Sequence, residues 1–410
     1  MFAARSIVFT WRNQPAHDTN APMRVSWLSL LFGVLAAVGT AAAQTPAFES
    51  EPIFAPEPVH NHASSIVELP DGGLLACWYH GSGESDADDV RIEGARFSKD
   101  GGWSKRFPLY DTPGFPDMNP VLFVDSAKRL WLFWGVLVAN DLHTSLLKYL
   151  RADDAGRTGP PQWEWSSEIL LKPEKLDVRT AQYLYQTGQD FSLAGIRLLT
   201  HARDKYFSRM GWLTRNHPIE LPSGRILLPL YSDGYGFGLV AMSDDHGASW
   251  QASEPIVGGN AVQPSLLRRR NGELVAFLRD NGPPPKRVLI STSSDDGMSW
   301  SIATDTDIPN PGSSLEALVL RDGRWILVYN DTEQARNSLA VSMSDDEGRS
   351  WKWTRHIEKA PTGSFHYPSV IQASDGDIHV TYSRNTFGNP ELEAIQHARF
   401  NEAWIEAGDD

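Results

Sequence analysis

The chain repeats one alternation of apolar and polar positions six times. A polar residue or proline opens an apolar run, a turn follows that contains glycine in every unit but the second, and a second run rich in Trp, Tyr and Val closes the unit. The segments are His62–Gly81, Asn119–Val136, His217–Gly234, Gln263–Gly282, Leu315–Thr332 and Tyr367–Asn385. In the fifth, Arg321-Asp322-Gly323 separates the run Leu315–Leu320 from Arg324–Tyr329. Short β-branched and aromatic runs split by Asp-Gly or Asn-Gly predict hairpins. A loop and a third apolar run, such as Ser338–Met343, come next.

An octapeptide of the form S-x-D-x-G-x-S-W then closes three of the units, starting at Ser243, Ser293 and Ser344, a period of 50 and then 51 residues. A worn copy, Ser98–Lys105, closes the first. A fixed period of this size predicts a repeat architecture. Four antiparallel strands per unit predict a β-propeller blade, whereas a β-helical solenoid would need a much shorter period. The expected fold is therefore all-β: a six-bladed propeller of four-stranded antiparallel blades over residues 44–410. Phe48–Phe54 is expected to add the fourth strand of the last blade and so close the ring, which removes two exposed sheet edges. Residues 150–214 carry no octapeptide and read as an elaborated blade edge plus an insertion over one face. The octapeptide itself reads as a structural turn, with Asp and Ser bonding backbone amides, Gly taking positive φ and Trp packing between sheets.

Composition narrows the function classes. The chain has 410 residues and a formal net charge of −14, with no basic stripe, which argues against nucleic acid. An acidic protein that binds an acidic ligand needs arginines gathered locally against the overall field. The single cysteine, Cys77, lies in the apolar run Leu74–Trp78 and reads as a buried small hydrophobe; it excludes an intramolecular disulfide. Histidine spacing gives no metal signature, so neither a metal nor another cofactor is expected.

Residues 1–43 read as a targeting region. Met23-Arg24 precedes the apolar stretch Trp27–Val38 and the small-residue site Ala41-Ala42-Ala43. Met23 is the expected start, with cleavage after Ala43 and a periplasmic or secreted mature protein. The apolar stretch is too short and badly flanked for a stable span, so no membrane span is expected in the mature protein. A monomer is expected.

In a four-strand meander, the starts of the innermost strands and the loops from second to third strand open on one face. The octapeptides open on the other. The first face collects His60, His62, Asn119, Arg215, His217, Gln263, Glu316, His366 and Tyr367 from strand starts. The loops add His80, Glu84, Asp86, Asp88, Asp89, Asp233, Arg279, Asp280, Asn330, Arg336 and Arg384, among others. Convergent polar groups around the axis make this face the expected ligand site.

The octapeptide, the blade count and this face resemble the sialidase (neuraminidase) superfamily in its BNR or Asp-box branch, over roughly residues 48–405. The resemblance implies three arginines that grip a substrate carboxylate, a tyrosine nucleophile paired with a glutamate, and an aspartate acid/base. Tyr367, Arg279 and Arg336 match such positions, and Asp86, Asp88 and Asp89 share the loop of the acid/base. Two departures stand out. His60-Asn61-His62-Ala63 occupies the place of the first arginine, and Gln263 the place of the glutamate.

A sialic acid carries its carboxylate on the anomeric carbon, so a neutral phenol approaches where a carboxylate nucleophile would be repelled; tyrosine is the known exception to the two-carboxylate scheme. A phenol also needs a base, and with Gln263 in place Glu316 or His366 is the alternative. The expected activity is sialidase-like release of a terminal acidic sugar. A second scheme places His60, His62 and His80 beside Tyr367 for acid–base β-elimination or hydrolysis on a uronate. A third is a non-catalytic carbohydrate-binding propeller. All three share an acidic saccharide partner, to which Asn119, Arg215, His217, Asp280, Asn330 and Arg384 would add contacts.

Overall fold

A computed structural model describes residues 45–409 apart from 387, 389 and 390. The proposed targeting region and the Met23 start lie outside the described residues. The six sheets are arranged as blades of antiparallel strands, as the repeats predict. Blade 1 holds His60–Glu68, Leu74–Gly81, Arg91–Ser98 and the outer pieces Gly102–Trp103 and Phe107–Tyr110. Blade 2 holds Asp117–Val124, Leu130–Leu137, Ser145–Ala152 and Trp165–Glu168. Blade 3 has a broken inner strand, Leu213–Thr214 and Ile219–Glu220, then Ile226–Ser232, Phe237–Ser243 and Gln251–Ala252.

Blade 4 runs Ala261–Arg268, Leu274–Asp280, Arg287–Ser293 and Thr304–Pro309. Blade 5 runs Glu316–Val319, Trp325–Tyr329, Ser338–Ser344 and Trp353–Lys359. Blade 6 runs Ser364–Gln372, Ile378–Thr386 and Leu392–Phe400 and takes its outer strand from the other end of the chain. Phe48–Pro52 pairs with it, Phe48 opposite Phe400 and Pro52 opposite Gln396. This is the closure that the missing fourth strand predicts. Residues between blades 2 and 3 form three helices, α1 (Leu176–Gln186), α2 (Leu193–Arg203) and α3 (Lys205–Arg209). Their helical character has no counterpart in the sequence reading.

The octapeptide is a turn that bonds itself. Ser243 donates to the Asp245 carboxylate at 2.9 Å and accepts from the Gly247 amide at 2.7 Å, while the Ser249 amide donates to Asp245 at 2.8 Å. The turns at Asp295 and Asp346 repeat these bonds. Gly247 sits at φ 84° with its Cα against Trp131; a Cβ there would meet the indole at 2.6 Å. The turn therefore needs glycine for both conformation and space. Trp131, Phe133, Trp212, Phe237 and their neighbours form the core between blades 2 and 3. Truncating such a fully buried indole costs about 3–5 kcal/mol.

Serines join the inner strands into a ring. Ser369 of blade 6 accepts from the Ile66 amide of blade 1 at 3.2 Å, Ser65 of blade 1 from Leu122 of blade 2 at 3.0 Å, and Ser265 of blade 4 from Ala317 of blade 5 at 2.9 Å. Each bond satisfies a buried amide that the blade's own ladder leaves open. Among the described residues, no helix is long and apolar enough to cross a membrane.

Candidate active site

Four inner strands carry a bulge near their start, and at each one residue adopts positive φ: Ala63 at 53°, Asn119 at 51°, Gln263 at 54° and Tyr367 at 57°. A bulge inserts one residue and re-aims its side chain. The left-handed conformation costs a non-glycine residue about 1–3 kcal/mol and persists where surrounding structure imposes it, most often at functional sites. Three of these residues precede proline, and three stand two positions before a ring serine. That x-x-Ser spacing is a sequence signal for the bulge.

Tyr367 is the centre. Its hydroxyl accepts from Arg279 Nη1 at 2.7 Å and from Gln263 Nε2 at 3.4 Å. The guanidinium carbons of Arg215, Arg336 and Arg279 lie 5.0, 5.5 and 5.9 Å from its ring centroid. His62 packs on the ring at 4.2 Å and His366 at 5.6 Å. The inner-strand starts bring Tyr367, Gln263, Arg215, His62 and His366 together, and the ends of the second strands and the loops after them add Arg279 and Arg336. His60 joins through His62, at 5.6 Å between rings, and is held by Glu393 at 3.1 Å. Asn119 adds a bond to the Tyr231 hydroxyl at 3.0 Å.

The electrostatics are one-sided. Arg215 donates to the carbonyls of Ser64 at 3.2 Å and Pro368 at 2.9 Å, and Arg336 to that of Gly312 at 2.9 Å. Among the described residues, none of the three arginines pairs with a carboxylate within salt-bridge distance. Burial pushes the Tyr367 phenol up, but the charges of Arg279 and Arg336 and the Gln263 bond outweigh it and hold its pKa below the ordinary value. Burial, reinforced by neighbouring positive charge, drives His62 and His366 well below the ordinary imidazole range, so both stay neutral. Burial pushes His60 down, yet Glu393 raises it overall. His60 Nε2, His366 Nδ1, Arg215 Nε and Arg279 Nε are buried without a protein partner. Unpaired buried polar atoms gathered at one place call for a ligand or water.

Several expected contributors lie elsewhere. Glu316 is no base for Tyr367: its carboxylate is used up by the His217 amide at 2.8 Å, the His217 ring at 2.9 Å and the Val370 amide at 2.8 Å. His217 in turn reaches the Ile66 carbonyl at 2.9 Å, so both brace the central channel. Their channel cavity, about 280 Å³, has neither Tyr367 nor the arginines Arg279 and Arg336 in its lining. His80 turns to the opposite side of its strand, bonding Asn61 at 3.0 Å near Glu57. Strand alternation puts Tyr79 on the site side instead, 5.5 Å from the His62 ring.

The loop carboxylates also sort differently. Asp89 caps the Ser82 amide at 3.0 Å and Asp88 accepts from Asn140 at 2.7 Å, both loop-bracing bonds. Asp86 stands near enough to His60 to raise its pKa. The carboxylate tied to the site is Glu84, which accepts from the Tyr79 hydroxyl at 2.7 Å. Asp280 caps the amides of Gly282 at 2.6 Å and Arg287 at 3.0 Å, and Asn330 donates to the carbonyls of Ser338 and Phe365, each at 2.7 Å. Arg384 is 3.6 Å from Glu358 and lies over the Phe365 ring. Burial of these caps is structural. Tyr79 and Tyr231 are the site-side groups left out of the sequence-based selection, and Glu84 and Asp233 stood there only among the loop residues of the face, without a role. Among the described residues, no group of three or more His, Cys, Asp or Glu side chains has the arrangement to hold a metal ion.

Known proteins give this arrangement a context. A sialidase of Micromonospora viridifaciens is 27% identical over 175 residues, 40% of this chain and 25% of that protein. An anhydrosialidase of Macrobdella decora is 24% identical over 182 residues, covering 40% and 23%. The matched stretches thus span about a quarter of these relatives. Among solved structures, a protein of unknown function from Dyadobacter fermentans superposes with TM-score 0.66 at 16% identity, over 86% of this chain and 98% of that one. The leech intramolecular trans-sialidase bound to 2,7-anhydro-Neu5Ac gives 0.63 at 14% identity, over 85% and 69%. These superpositions share the fold. The model of the BNR repeat-like domain matches residues 72–380, most of the propeller, and the chain belongs to that family, within the sialidase superfamily.

Proposed function

We propose that the protein is an exported glycoside hydrolase that removes a terminal acidic sugar, sialic acid or a close analogue, with Tyr367 as nucleophile. The observation that carries this reading is the ring of three guanidiniums around one half-buried tyrosine, with no carboxylate among the described residues paired to them. In a chain of net charge −14 such a cluster fits an anionic ligand that supplies the missing charge. The sialidase relatives support the class.

In the first step the Tyr367 oxygen bonds the anomeric carbon while the glycosidic C–O bond breaks. Glu84 gives its proton to the leaving oxygen. The phenol proton passes to His62, which is neutral beforehand and packs on the Tyr367 ring at 4.2 Å; burial weakens it as a base, and Arg279 and Arg336 ease the transfer by lowering the phenol pKa. Water then attacks the anomeric carbon, Glu84 takes its proton, the sugar leaves Tyr367, and His62 returns the phenol proton. The arginines stabilise the phenolate and orient the substrate carboxylate.

The two neutral histidines at the Tyr367 ring favour a second reading, β-elimination on a uronate. There Arg279 and Arg336 neutralise the carboxylate, a neutral histidine takes the C5 proton, the Tyr367 phenol gives its proton to the leaving oxygen, the C4–O bond breaks and a C4=C5 double bond forms; the imidazolium then returns a proton to the phenolate. Incubation with a fluorogenic sialoside and with uronate polysaccharides separates the two. Fluorophore release alone is the expected result. Ultraviolet absorbance of an unsaturated product alone replaces hydrolysis by elimination, and binding without turnover of either leaves a lectin.

A further inference from the structure

Between blades 2 and 3 the chain leaves the propeller to build its helices, which meet the loops of the arginine rim at His143 and Asp233. The insertion is anchored along the edge of the propeller. Leu176, Thr180 and Leu184 of α1 and Ala202 of α2 are buried. Tyr183 meets Phe237 edge-on at 5.8 Å, and Arg179 donates to the Trp300 carbonyl at 2.9 Å. Between helices and rim lies a cleft of about 580 Å³, inside the range of roughly 300–1,000 Å³ typical of small-ligand sites.

The rim side of the cleft is His143 and Asp233; the helical side presents Tyr183, Gln189, Arg197 and His201. Asp233 links it to the site already described, since its charge is felt by both Arg279 and Tyr367. Among the described residues, the side chains of Tyr183, Gln189, Arg197 and His201 make no hydrogen bond to the rest of the protein. Leu193, the first residue of α2, adds apolar surface to the cleft and is 88% exposed. Aromatic and apolar faces beside unused donors and acceptors suit a sugar ring, which has C–H faces and hydroxyl edges.

We propose that this cleft is a second saccharide subsite holding the neutral sugar units next to the acidic one, so that extended glycans are preferred over simple glycosides. The proposal rests on the reading of the Tyr367 site as an acidic-saccharide site.

Arg197→Ala with Gln189→Ala tests it, both residues being exposed and outside the catalytic cluster. With sialyllactose, the double variant should raise KM about tenfold, the loss of one or two hydrogen bonds. KM for a methylumbelliferyl sialoside should not move. Titrating sialyllactose into Tyr367→Phe protein, with and without the double change, reads the same tenfold as affinity and needs no turnover. Equal affinity in the two titrations overturns the subsite, as does an equal KM change on both substrates. Failure of the acidic-saccharide reading looks different: Arg279→Met would leave sialyllactose affinity unchanged while neutral lactose bound equally well.

Discussion

The Arg279 guanidinium donates to the Tyr367 hydroxyl at 2.7 Å. A buried phenol alone would resist ionisation; this bond and the charge of Arg336 reverse that and lower its pKa. The oxygen is thereby prepared to carry negative charge in the transition state. Arg279→Met should cut kcat by about 10²–10³, the loss seen when one preorganised donor is removed. It should also move the tyrosine ionisation, followed by ultraviolet difference absorbance, to higher pH. Unchanged ionisation would mean that Arg279 does not activate Tyr367.

Tyr367→Phe removes the oxygen but keeps the ring on which His62 packs at 4.2 Å. Turnover should be lost while the acidic ligand still binds, because Arg279 and Arg336 remain. Measurable turnover on both sialoside and uronate substrates would end both proposed chemistries.

Glu316 and His217 make a buried pair at 2.9 Å. Burial raises the Glu316 pKa, but His217 and its amide lower it overall, so the ion pair persists. Breaking such a pair from one side costs about 3–5 kcal/mol. Glu316→Gln should therefore lower Tm by several degrees, with kcat little changed in the folded fraction. A large fall in kcat at unchanged Tm would restore Glu316 as the base.

The propeller was legible because its octapeptides are local. Each turn is closed by bonds within six residues of its first serine, so the period shows in the sequence. Tyr367, Arg279 and Arg336 were legible because ring closure brings inner-strand starts, the ends of the second strands and the loops after them to one mouth whatever their separation. Failures came where one residue of register decides. Tyr79 and His80 are neighbours on one strand, and only alternation says that the tyrosine faces His62 while the histidine faces Asn61. The Glu84–Tyr79 bond depends on how an irregular loop folds back, which no periodicity encodes. Glu316 and His217 share the face with Tyr367 in a one-dimensional sorting, yet their side chains meet lower in the channel.

His379 and His397 are stacked at 5.2 Å and bonded at 2.9 Å on the octapeptide side of blade 6. Burial holds His379 down to about 4 against the opposing charge of Asp375, and holds His397 to about 3 with the help of His379 and Arg399. An unfolded histidine takes its proton near pH 6.5. Between that pH and the folded values the unfolded chain holds more protons, so acid favours unfolding. Stability tied to the pair is complete above about pH 6.5 and is lost, by roughly a few kcal/mol, on the way to about pH 3. Thermal melts between neutral and acid pH should show this fall, and it should be shallower in a His379→Asn, His397→Asn variant. Parallel curves would remove the pair from the account.

Gln263 separates this site from one with a carboxylate beside the tyrosine. Its amide nitrogen stands 3.4 Å from the Tyr367 hydroxyl and its amide oxygen 3.4 Å from Arg279, so a glutamate there would touch both. As a carboxylate it would accept the phenol proton directly, a contribution worth about 10²–10⁴ for a positioned base, and Arg279 would compensate its charge. In a hydrolase that draws on His62 for this step, Gln263→Glu should raise kcat on a sialoside by about tenfold or more, part of that range. In a lyase, the added negative charge beside Arg279 would compete with the substrate carboxylate and raise KM for a uronate polymer. Steady-state kinetics of the one variant on both substrates reads the two outcomes apart, and slower sialoside hydrolysis with unchanged folding would count against tyrosine attack assisted by a base.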